Sequence, residues 1–63
     1  MNDITYCLIY RSYREGRALS FPCDAQGHVP LDGLSDRART SYFYARATVG
    51  REFRHPVVGS VRV

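Results

Sequence analysis

The sequence predicts one small α+β domain spanning residues 1–63. Its sheet is three-stranded and antiparallel, its element order β-hairpin, helix, C-terminal strand (β-β-α-β), and its helix packs on one face. Three observations carry this. Two strand-like segments, "ITYCLIYR" and "RALSFPCD", flank a turn rich in polar residues and closed by Gly16. From Asp32 onward the apolar spacing lengthens from two residues to three or four. A β-branched tail, "HPVVGSVRV", ends the chain.

The first strand occupies residues 4–11. Alternation puts Ile4, Tyr6, Leu8 and Tyr10 on one face and Thr5, Cys7, Ile9 and Arg11 on the other. Both faces are largely apolar, which suits a central strand. Gly16 supplies a left-handed residue for the reversal, and residues 17–24 return as the second strand. Pro22 cannot donate to a ladder, so this strand should keep one side free or bulge. "DAQGH", residues 24–28, is a second turn that Asp24 opens and Gly27 closes.

A helix follows over 33–49. Leu31, Leu34, Ala38, Tyr42, Ala45 and Val49 fall on one narrow arc of a helical wheel. Asp32 or Ser35 can cap its start, Asp36 suits the positive end of its dipole, and Gly50 is placed to stop it as C′. The last strand begins after Pro56. It returns beside the first strand and antiparallel to it, which leaves the first strand in the middle.

Size and composition bound the function. A 63-residue chain buries only roughly 60% of the surface its unfolded form exposes, so a partner subunit or a covalent staple is a common need. A hydrophobic content of 44% is that of a folded protein. No apolar run approaches the roughly 20 residues of a membrane span, and the N-terminus lacks the basic start of a secretory signal. The expectation is therefore a cytoplasmic protein with no membrane contact. The net charge is +3, and all nine basic residues are arginines. Guanidinium forks suit phosphate, carboxylate and aromatic faces, although a GC-rich genome gives the same bias.

Little in the chain points to catalysis. Cys7, Cys23, His28 and His55 lack the paired spacing of a structural zinc site, so no metal is expected. No signature surrounds either thiol, the carboxylates sit at turns and helix ends, and the glycines form no phosphate loop. So short a chain hardly encloses an enzyme-sized pocket. The sequence thus implies a non-enzymatic protein with no cofactor, no catalytic residue and no small-molecule substrate.

Two binding surfaces remain. Phe43 points away from the apolar stripe, with Tyr44 and Ala47 on the flank between, so the helix is apolar nearly all round. Such a helix is buried on more than one side. This face implies an interaction module that self-associates, as a homodimer or with another protein. The alternative is a small nucleic-acid-binding protein. Arg11, Tyr13, Arg14 and Arg17 crowd the hairpin tip, and Arg37 and Arg51 bracket Tyr44 along one helix flank. The tip also reads as a plain solvated turn.

The thiols offer a third, weaker possibility. A hairpin closed through Arg14, Glu15 and Gly16 would set Cys7 opposite Cys23 as a redox pair, whereas a two-residue turn would put Asp24 there. The commoner fate of such thiols is to pack as small hydrophobes.

Overall fold

The computed structural model describes residues 4–14 and 16–62, with side chains through Ser60. Strand β1, Ile4–Arg11, lies between β2, Ala18–Cys23, and β3, Val57–Arg62. Both pairings are antiparallel, and helix α1, Asp36–Ala47, accounts for the remaining regular layer. This is the α+β arrangement the element order implied. Among the described residues no helix is long and apolar enough to cross a membrane.

The core follows from the alternation along β1. Leu8 and Tyr10 face the helix and are buried with Phe21, Leu34, Tyr42, Ala45 and Phe53. Tyr10 lies at the centre. Its ring meets Phe21, Tyr42 and Phe53 at centroid separations of 6.0, 6.5 and 6.3 Å, each near edge-on. Edge-to-face pairs of this kind contribute roughly 0.5–1.5 kcal/mol each beyond their area burial. The opposite face of the sheet, carrying Cys7, Ile9, Pro22, Val57 and Gly59, has no helix over it.

Three details depart from the sequence reading. The helix is shorter at both ends than 33–49. Leu31–Gly33 forms a separate 3₁₀ turn, Leu34 is extended, and Ser35 caps the helix by accepting the Ala38 amide at 3.2 Å. A serine whose hydroxyl reaches the third amide ahead wins over continued winding. At the other end Thr48 closes the helix, its hydroxyl donating to the Tyr44 carbonyl at 2.7 Å. Gly50 is then not C′ but lies one residue further on, at φ 92°, inside a tight turn that carries Phe53 back to the core.

The hairpin register also differs. Cys7 faces Pro22, and Cys23 faces Tyr6. Neither expected loop forms, because residues past Arg11 have a second neighbour. Ser12 closes the hairpin by donating to the Arg17 carbonyl, while the Tyr13 amide donates to Glu52 and the Arg54 amide donates to Arg11. That chain between 52 and 54 holds Tyr13 out of the pairing with Arg17 that the shorter loop required. Glu15, in the expected loop, lies outside the described residues.

Candidate functional site

The register decides the fate of the thiols. Paired residues share a face and neighbours along a strand alternate, so Cys23 points to the helix side with Tyr6 and Cys7 to the bare side with Pro22. The expected redox pair is therefore split across the sheet. Burial first, then the charges of Asp24 and Cys7, push the Cys23 thiol above its ordinary 9.0. A thiol shifted that way is protonated at neutral pH and a poor nucleophile.

The helix-face residues are exposed. Phe43 is 46% and Tyr44 52% accessible, and Ala47 is exposed too. They do not act as one patch, however. Phe43 leans on Tyr42 with centroids 5.7 Å apart, whereas Tyr44 stands edge-on to Phe53 at 6.0 Å and turns toward the hairpin tip.

At the tip the structure gathers more than the sequence suggested. Two adjoining clefts, of about 530 and 440 Å³, lie on either side of it. Ser12, Arg14, Gly16, Arg17 and Ala18 line both. Leu19, Phe53, Tyr44 and Glu52 complete the larger one. Arg11, Tyr13 and Arg54 complete the smaller. The Arg54 guanidinium lies 5.0 Å from the centre of the Tyr13 ring, a cation–π distance. Among the described residues, none of Arg11, Arg14, Arg17 and Arg54 has a carboxylate within 4.0 Å; the ion pairs there are His28–Asp24 and Arg39–Asp36. Glu52 is the acidic residue among the described ones that line the site.

Arg54 and Tyr44 join the site only through tertiary structure. The signal for Arg54 was faint: "REFR" is basic, but nothing in it announces that residues 52–54 continue beside the end of β1. Arg37 and Arg51 do not line either cleft. Arg37 lies in the first turn of α1, and Arg51 sits in the turn after it. Arg46 spreads over the Tyr42 ring at 5.6 Å, covering the core edge as a long cationic stem does.

β2 runs away from the tip and α1 runs back, so Asp24, Asp32 and Asp36 fall at the far end together with Arg37, Arg39 and Arg62. Arg11, Arg14, Arg17, Arg51 and Arg54 gather at the tip. Its clefts are shallow, basic and aromatic, a shape suited to holding a phosphate chain and stacking a planar ring. No protein-family model, curated protein or solved structure matches the chain.

Proposed function

We propose that the protein binds nucleic acid, favouring single strands, through the basic end of the sheet. The observation that carries this reading is the convergence of Arg11, Arg14, Arg17 and Arg54 on two adjoining clefts. Guanidinium groups that have no carboxylate partner among the described residues keep their donors available for phosphate oxygens. Tyr13, 52% exposed, and Tyr44 offer ring faces on which bases stack. A strand tracking past the tip would touch about four phosphates. Log affinity should then fall against log salt with a slope of about −3 for single strands. Arg14→Ala, Arg17→Ala and Arg54→Ala should each lower that slope by roughly 0.7. A slope indifferent to all of them means diffuse attraction by a +3 protein. Absence of binding to single-stranded DNA or RNA at low salt removes the reading.

Self-association through Phe43, Tyr44 and Ala47, the other reading, has less behind it. Tyr44 is drawn toward the cleft, which leaves Phe43 and Ala47 as the exposed apolar surface of the helix. Phe43→Arg should dissociate the assembly if this face joins two chains.

A further inference from the structure

The two clefts share Ser12, Arg14 and Arg17 but differ in what completes them. The smaller adds Arg11, Tyr13 and Arg54, all suited to a phosphate chain. The larger adds Leu19, Phe53, the Tyr44 ring and the carboxylate of Glu52. Its volume of about 530 Å³ lies in the roughly 300–1,000 Å³ range of clefts that take small ligands. Phosphate binding has no use for Glu52, because a carboxylate repels phosphate and only accepts hydrogen bonds. Yet the residue is firmly placed. Its amide donates to the Thr48 carbonyl at 2.8 Å, and its carbonyl accepts the Tyr13 amide at 3.1 Å. Among the described residues no cation lies within 4.0 Å of its carboxylate, although Arg14 and Arg17 line the same cleft. An acceptor kept in a cleft of donors, beside a ring 52% exposed, matches the donor edge of a stacked base.

Resting on the nucleic-acid reading, we infer that the larger cleft takes one guanine of the bound strand, stacked on Tyr44, with Glu52 accepting from its Watson–Crick edge. Guanine alone among the bases has two donors side by side there, N1–H and the N2 amino group, and the two carboxylate oxygens accept both. Adenine and cytosine set an amino donor beside a ring-nitrogen acceptor, and thymine and uracil set one N–H between two carbonyls. Each of these would turn an acceptor toward the carboxylate. The arginines of the smaller cleft hold phosphates of the same strand, so base and backbone are gripped on either side of the tip.

Titration with oligo(dT) carrying one central guanine, hypoxanthine, adenine or cytosine tests this. The guanine strand should bind roughly tenfold or more tightly than plain oligo(dT). Hypoxanthine keeps N1–H but lacks the N2 amino group, and should forfeit much of that gain. Glu52→Gln should lose the guanine preference and bind plain oligo(dT) more tightly, because a negative charge leaves the path of the phosphates. Should that variant fail to fold, the hypoxanthine comparison on the parent protein decides. Guanosine monophosphate should compete weakly, since it brings a single phosphate to the arginines. Equal affinity for all the strands, or a preference for adenine or cytosine, overturns this inference and leaves the nucleic-acid reading standing. A Glu52→Gln variant that keeps the guanine preference, or weakens every strand alike, overturns it too. Guanosine monophosphate that binds as tightly as the strand would mean a free-nucleotide site instead. Binding to no strand removes both readings.

Discussion

Asp24 shows how one carboxylate organises a turn. Its Oδ1 accepts the amides of Gln26 at 2.9 Å and His28 at 2.8 Å, and its Oδ2 lies 3.1 Å from His28 Nδ1. Chiefly through the His28 amide, these bonds hold the Asp24 carboxyl below its ordinary 3.8. A depressed folded value means that the stabilisation is complete above the ordinary carboxylate range. It is lost as pH falls through the lower folded value. Asp24→Asn should flatten the acid limb of a stability–pH curve, measured by thermal melting, while leaving the alkaline limb alone. An acid limb as steep as the parent's would remove this account. At the same scale, the Tyr13–Arg54 pair holds two cleft residues against each other. Tyr13→Ala should weaken single-stranded binding by roughly 1–3 kcal/mol if the ring stacks on a base, and titration against homopolymers reads this directly.

The helix is where local chemistry is most exposed to test. Ser35 satisfies one amide of the first turn, and its removal leaves that donor to water. Ser35→Ala should lower stability by about 1 kcal/mol in denaturant titration, with an unchanged m-value. The turn after the helix depends on Gly50, whose φ of 92° costs an L-residue about 1–2 kcal/mol. Its amide donates to the Phe53 carbonyl at 2.7 Å, so strain there is passed to a core ring. Gly50→Ala should therefore loosen Phe53 and the tip together. Loss of Tyr13 and Arg54 amide protection alongside that of Phe53 would show the linkage. The 24–28 turn closes over the sheet at Gly27, with φ 89°, where an added Cβ would lie 3.3 Å from Val58 Cγ2 and the valine would have to give by a few tenths of an ångström.

For the whole molecule the governing fact is a core of few side chains. Phe53 is 7% exposed and touches Tyr10 and Tyr44, bridging the sheet, the helix end and the binding clefts. Phe53→Ala should cost about 3–5 kcal/mol, a large share of the roughly 5–15 kcal/mol that holds a domain folded. Equilibrium unfolding measures it. The loss should exceed that of Phe43→Ala, whose ring is half exposed. The split of the thiols across the sheet gives a second outcome at this scale. Mild oxidation should not join Cys7 to Cys23 within one folded chain, and intact mass should show no loss of two hydrogens. A quantitative intrachain disulfide under native conditions would contradict the register.

Period and composition determined the elements. Alternation in residues 4–11 sorted β1 into two faces, but both were largely apolar, and it was the packing of the helix that buried the one carrying Leu8 and Tyr10. The 3.6-residue period chose the helix stripe, Gly16 the hairpin, and Pro22 a strand with a free side. These are short-range preferences, and they are written in the residues themselves. Boundaries and registers were settled elsewhere. Ser35 ended the winding from Leu31 because a capped helix outweighed a longer one, and Thr48 stopped it before Val49. The hairpin slipped from its expected pairing because Tyr13 bonded to Glu52, a residue far along the chain. That same contact put Arg54 over Tyr13 and Phe53 beneath the tip. The arginines of the tip were legible as a basic stretch; that they form a lined cleft was not. Sequence patterns report what each residue prefers among its near neighbours, and only the folded chain decides which distant backbone will satisfy a donor left over.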